Sequence, residues 1–337
     1  MGNSKRLDYL DIAKGLAMFC VIAGHMRVVH VNAFVFSFHM PLFFLVSGYF
    51  YKADGAKVLR NSRRLLTAYC WTVVAVLVLS EAMTLAQVLY RGDDFIALVN
   101  VALKWIVAGL YGSGARVDFF CFRLPAIGAV WFLLAMIWGG WMLLVINKLR
   151  KDWQQMAAVV SLFLAGWLTT RLTWLPWSVQ SGMCATLFMF IGYKARTYKE
   201  FEIRKVFFPA SVLIWGVALY PCYIAAPPEL SKCYFPNVVI NVAGGVTGTY
   251  VVVCVCRWIE RVGRGAVYRY MLFWGRNTLV VLCAHLTELN CVPWSKVYSL
   301  IDSRPIGLIV VFCLKVLWAT LAVLLVNKYK DRNRQPS

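Results

Sequence analysis

Three runs in the sequence put ionisable side chains where apolar residues surround them. Asp11-Ile12-Ala13-Lys14-Gly15 begins one apolar run, and ten residues separate Lys14 from His25. Phe38-His39-Met40-Pro41 opens a second run, and Gly275-Arg276-Asn277-Thr278 together with His285 and Glu288 marks a third. An imidazole can take a proton from an alcohol near neutral pH, and a carboxylate one helical turn away can orient or charge the ring. The chemistry this suggests is proton abstraction from an alcohol. A plainer reading has Asp11 and Lys14 neutralising each other at i, i+3, His25 reaching an interface, and His39 as a satisfied core residue.

Helical geometry favours the first reading. At 100° per residue, Lys14 and His25 lie about 20° from a whole number of turns apart, and Asp11 and His25 about 40°. The three therefore share one stripe. Lys14 and His25 are separated along it by about 16 Å, roughly half a hydrocarbon thickness. The connection 29–33 is short, so His39 is expected at the depth of His25, with Pro41 freeing backbone groups that can line a cavity. The run 269–289 repeats the pattern, with Arg276 at one end and His285 at the other. Trp131 and Trp138 read as interfacial-belt or packing residues.

The elements that carry these residues follow from composition. The chain has 337 residues and a formal net charge of +20; 61% are hydrophobic and 15% charged, with mean hydropathy +0.66. Soluble domains run about 45–50% apolar and about 25% charged, so an ordinary cytosolic enzyme is excluded. A nucleic-acid binder is excluded as well, because the basic residues sit between apolar runs and not on a hydrated face.

Candidate membrane spans lie near 8–28, 34–51, 66–90, 125–147, 153–170, 175–193, 206–225, 236–256, 269–289 and 305–326. The expected fold is all-α, a polytopic integral membrane bundle of about ten helices in one domain over 1–337. With the N-terminus inside, 23 of the 35 Lys and Arg fall in inside segments and nine outside, which predicts two cytoplasmic termini. Lys14, Arg276 and Lys315 fall within spans. The apolar stretch Phe95 to Leu110, interrupted by Lys104, reads as an interfacial or re-entrant helix. No removable signal peptide and no appended soluble domain are expected. Cys121, Cys222, Cys233 and Cys291 fall on the outer side, where disulfides are an option whose connectivity spacing does not choose. No metal-ligand spacing occurs.

The ordered set of motifs resembles the membrane acyltransferase-3 family. It comprises Asp11-x-x-Lys14-Gly15 with His25, Phe38-His39-Met40-Pro41-Leu42-Phe43-Phe44, Ser47-Gly48-Tyr49, Trp131-Phe132-Leu133, and Gly275-Arg276-Asn277-Thr278-Leu279 with His285. Within that family it is most similar to the branch of fucose 4-O-acetylase and related acetyltransferases. The resemblance implies an enzyme of the bacterial cytoplasmic (inner) membrane that moves an acyl group, usually acetyl, from cytosolic acyl-CoA to a hydroxyl of an extracytoplasmic or lipid-linked glycan. Acyl-CoA is then a co-substrate, with no permanently bound cofactor. Membrane lipid and the glycan acceptor are the expected partners, and a homo-oligomer is compatible.

Many members carry Arg where this chain has Lys14, which keeps charge and loses the bidentate fork. Polyanionic CoA suits the basic loops, chiefly 52–64 with Arg60, Arg63 and Arg64, and 257–269. Asp11 and Lys14 would gate or position the pantetheine arm, with Arg276 and Asn277 on the same path. His25 would be general base or, less in keeping with the pattern, transient acyl carrier, and His39, His285 and Glu288 would orient it or stabilise the oxyanion. The rival class is a transporter or flippase for a glycan or lipid intermediate, since intramembrane charges also mark ion relays. Inverted repeats and paired broken helices, common in transporters, are not evident.

Overall fold

The computed structural model describes residues 7–92, 94–119, 122–197, 207–263 and 265–333. The described residues are largely helical. In chain order the helices are α1 (Asp8–Gly24), α2 (Val29–Phe36), α3 (His39–Phe50), α4 (Gly55–Arg91), α5 (Ile96–Tyr111), α6 (Trp131–Ile146), α7 (Asp152–Thr169), α8 (Val179–Thr197), α9 (Phe207–Ile224), α10 (Val238–Val262), α11 (Ala266–Arg276), α12 (Thr278–Cys291), α13 (Trp294–Tyr298) and α14 (Arg304–Arg332). A short antiparallel hairpin, β1 (Val117–Phe119) and β2 (Phe122–Leu124), lies between α5 and α6.

Among the described residues five stretches are long and apolar enough to cross a membrane: 29–50, 55–91, 207–224, 238–262 and 304–332. α14 leaves Ile309, Leu317, Leu321, Leu324 and Leu325 exposed, a surface that water would disfavour and lipid would cover. The stretch 95–110 is largely α5, which packs on α4 and accepts a 2.6 Å hydrogen bond at the Gly109 carbonyl from the Tyr69 hydroxyl.

Two expected spans are broken. The run 34–51 is divided between α2 and α3 at Ser37 and Phe38. There the Ser37 hydroxyl donates to the Phe34 carbonyl at 2.7 Å and is held in turn by the Trp215 indole N–H at 2.9 Å. Pro41 contributes no N–H, so the carbonyl one turn earlier, that of Ser37, receives no helical bond from it. The run 269–289 is divided between α11 and α12 at Asn277, whose side-chain amide donates to the Phe273 carbonyl at 2.9 Å. Conversely, 52–64 is not an extended loop. Asp54 caps α4 by accepting from the N–H groups of Ala56 and Lys57, so Arg60, Arg63 and Arg64 ride on the first turns of a 37-residue helix.

Two close helix crossings locate the site. In α1 and α11, a Cβ on Gly15 would strike the Met271 carbonyl, and one on Gly275 would strike the Asp11 carbonyl. In α3 and α8, Gly48 meets the Met189 backbone and Gly192 meets the Leu45 backbone in the same reciprocal way. Glycine is required at these positions because backbone fills the space a side chain would take. Phe19 stacks on fully buried Trp274 at 4.2 Å between ring centroids, and the Trp274 indole N–H donates to Thr320 of α14. Thus α1, α11 and α14 form one packed unit, and α12 continues from it toward His25.

Candidate active site

His25 is the residue following α1, and α12 brings His285 against it. The rings meet edge to face with centroids 4.9 Å apart, and His285 Nε2 is 3.1 Å from His25 Nδ1. Behind His285, Nδ1 contacts Glu288 Oε1 at 2.6 Å; the pair sits one turn apart on α12 and both side chains are 0% exposed. The other carboxylate oxygen accepts from Lys315 Nζ of α14 at 2.7 Å and from the Trp294 indole N–H of α13. A buried carboxylate requires such partners, because taking an unpaired charge out of water costs several kcal/mol.

The acceptors in this chain decide the tautomers. A carboxylate only accepts, so His285 carries its proton on Nδ1 and presents a lone pair at Nε2. The Val21 carbonyl, 2.8 Å from His25 Nδ1, also only accepts, so His25 Nδ1 carries a proton shared between Val21 and His285 Nε2. His25 Nε2 is then the unprotonated nitrogen, with no protein partner among the described residues. Glu288 to His285 to His25 is a directed chain that makes one ring nitrogen basic.

His25 lines a cavity of about 730 Å³. Lys14 and Arg64 line it as well, as do His39, Trp131 and Thr278. Since Lys14 and His25 lie on one helix about 16 Å apart, the cavity follows the stripe from a basic end to a histidine end. A smaller cavity of about 330 Å³ is lined by the same Asn61 and Arg64 and adds Lys52 and Lys57, so the basic end opens among cations. Arg60 and Arg63 are exposed on α4 and line neither cavity.

The remaining expected site residues divide. His39 lines the cavity with His25, but its Nδ1–H donates to the Val35 carbonyl at 2.6 Å, so its Nε2 is an acceptor. His285 and Glu288 do not line the cavity and stand behind His25. Lys14 pairs with buried Asp11 at 2.7 Å. Arg276 pairs with Asp8 at 3.0 Å and approaches Asp11 at 3.9 Å, while Tyr268 donates to the other Asp8 oxygen. Arg276 therefore braces α1 against α11, Asn277 bonds within α11 to the Phe273 carbonyl, and neither lines the cavity. Trp131 is buried among Phe44 and Phe132 in the cavity wall. Cys222, Cys233 and Cys291 are free thiols, and Cys121 lies outside the described residues. Trp294, which sequence did not single out, and Lys315, which sequence marks only as a cation within a span, complete the chain. The available signal was Lys315 itself, a cation inside an apolar run.

A family model described as an acyltransferase domain, acyltransferase 3, matches residues 7–327. The chain belongs to this acyltransferase family. The match takes in every residue of the histidine chain and both ends of the cavity, and with the long apolar helices it makes the protein a membrane acyltransferase. Comparison of the acyltransferase with curated proteins and with solved structures returns no match.

Proposed function

We propose that the acyltransferase moves an acyl group, in the first instance acetyl, from cytosolic acyl-CoA to a hydroxyl of an extracytoplasmic or lipid-linked glycan. The bundle would have about ten membrane-crossing passes in the bacterial cytoplasmic membrane, with both termini cytoplasmic. One observation carries the reading: a single cavity has Arg64 and Lys14 at one end and a base-forming His25 at the other. The first suits the phosphates of CoA, and the second suits an alcohol. The fucose 4-O-acetylase-like branch is part of this proposal.

His25 Nε2 removes the acceptor hydroxyl proton as the oxygen attacks the thioester carbonyl carbon. The tetrahedral adduct collapses, the carbon–sulfur bond breaks, and the departing thiolate takes the proton from His25 to give free CoA. Glu288 and His285 hold His25 in the tautomer that can accept this proton and stabilise the imidazolium that follows. Direct transfer needs no acyl-histidine.

The test is purified protein in proteoliposomes with radiolabelled acetyl-CoA and a surface oligosaccharide. Label should pass to the glycan with wild type, and His25→Ala should abolish it. Movement of glycan across the bilayer with no covalent acetyl product would overturn the reading in favour of a transporter.

A further inference from the structure

We propose that the histidine end of the cavity is a subsite for an acceptor carrying an anionic group, recognised by Arg27; this rests on the acyl-transfer reading above. Among the described residues four cations line the cavity: Lys14, Arg27, Arg64 and Lys232. Lys14 is neutralised by Asp11, and Lys232 by Glu229 at 2.6 Å. Glu229 is the acidic residue in the cavity lining, and it is occupied further by the Ser231 hydroxyl at 2.8 Å. Two cations have no protein partner among the described residues, and they stand at opposite ends. Arg64, with Lys52 nearby, suits the donor's phosphates. Arg27 is two residues beyond His25, where the acceptor must sit.

Two further features single out Arg27. Its backbone is left-handed, with φ 57°, in the turn between α1 and α2, a conformation that disfavours a residue with a side chain. A glycine would relieve it, yet this position carries an exposed arginine at the cavity lining. In the same wall, Asn32 Oδ1 is buried with no hydrogen-bond partner. An unsatisfied buried acceptor calls for a donor, and a sugar hydroxyl is one. Arg27 and Asn32 together match a hydroxylated ligand bearing a carboxylate or phosphate, which the planar guanidinium takes through two parallel hydrogen bonds.

The shared chemistry has two sources: an acidic sugar within the glycan, or the pyrophosphate of a polyprenyl carrier. Three acceptors separate them in proteoliposomes: a uronic-acid oligosaccharide, its neutral methyl ester, and a neutral oligosaccharide linked to polyprenyl pyrophosphate. We expect a charged acceptor to show a KM about 10- to 100-fold below that of the neutral one, the range a charge-assisted hydrogen bond supplies. Arg27→Gln should collapse that ratio to within about threefold, and Arg27→Lys should restore part of it. Preference for the uronic acid identifies the acidic sugar, and preference for the pyrophosphate-linked acceptor identifies the carrier; either supports the subsite. Equal KM values across all three with wild type, or a ratio unchanged by Arg27→Gln, overturn it while leaving acyl transfer standing. Absence of transfer to every acceptor by wild type that binds acetyl-CoA overturns the acyl-transfer reading instead, and the subsite with it. Should Arg27→Gln not fold, inhibition of the wild type decides the matter: methyl glucuronoside must inhibit at a concentration about tenfold or more below methyl glucoside, and equal inhibition refutes the proposal.

Discussion

Glu288→Gln changes one atom of the carboxylate and tests the histidine chain directly. In wild type both oxygens accept, one from His285 Nδ1–H and the other from Lys315 and Trp294. Glutamine has one acceptor and one donor end. If its oxygen stays on His285, its amide hydrogens face Lys315 and Trp294, which are also donors. If it flips, the amide donates to His285 Nδ1, and His285 must then carry its proton on Nε2. That proton would be donated to His25 Nδ1, which loses its bond to Val21 and moves its own proton to Nε2. The base disappears in the second case. A positioned general base is worth about 10²–10⁴ in rate, or about 3–5 kcal/mol of barrier at 1.36 kcal/mol per tenfold. In both cases Lys315, 3% exposed, also loses its counter-charge, at a cost of about 3–5 kcal/mol in stability.

The double variant Glu288→Gln with Lys315→Met separates these effects. It removes the stranded cation, so thermal stability in detergent should return most of the way to wild type. The rate of acetyl transfer should not. The assay is kcat with radiolabelled acetyl-CoA, beside an unfolding midpoint for each protein. A folded Glu288→Gln protein with kcat within about threefold of wild type would refute the tautomer argument. Full recovery of kcat in the double variant would show that Glu288 serves only to neutralise Lys315.

The other predictions concern the basic end and the helix crossings. Arg64→Gln should raise the KM for acetyl-CoA by about tenfold or more, whereas Arg60→Gln and Arg63→Gln should change it far less, because of the three only Arg64 lines the cavity; steady-state kinetics across the three variants checks this. Gly275→Ala should destabilise the protein by about 1–3 kcal/mol or prevent its accumulation, since the new methyl group meets the Asp11 carbonyl, and thermal unfolding reads the loss. Asp54→Ala should speed hydrogen exchange at Ala56 and Lys57. The Lys57 backbone N–H holds the Asp54 carboxyl below its usual range, so the cap persists above that range and is lost as pH falls through the lowered value; protection relative to the intrinsic exchange rate should therefore fall on acidification in wild type and change little in the variant.

Helical spacing alone places Asp11, Lys14 and His25 on one stripe, because a period of 3.6 residues returns the chain to the same face, and the cavity follows Lys14 and His25. The partner of His25 is not legible that way. His285 lies 260 residues later, and His39, the neighbour suggested by a short connection, bonds to Val35. Lys315 is recognisable as a cation in an apolar run, but its acid is chosen by the packing of α12 on α14. The breaks at Ser37 and Asn277 are hidden for a different reason: hydropathy runs through both without interruption, and the local caps that stabilise them use side chains common throughout the chain. Hydropathy likewise suggested a helix limited to 66–90, whereas α4 starts at Gly55, since a polar helix can continue beyond an apolar core once its first turn is capped.

The distribution of charge along the cavity bears on how a donor and an acceptor from opposite sides of a membrane could meet. On the proposed reading, moving CoA's phosphates through an apolar bundle would cost several kcal/mol per unpaired charge, and Arg64 and Lys52 stand together at the basic end, beside Lys57 with its partner Asp54. Lys14, at the same end, is already matched by Asp11, so it adds no net charge there. Beyond it the wall is formed by Met18, Val21 and Phe43, against which an uncharged pantetheine arm and thioester lose little by leaving water. His25 then need not be charged before reaction, because its chain of partners presents a neutral ring with a basic nitrogen. In this arrangement charge stays at the two mouths, and only neutral groups and one proton occupy the passage between them.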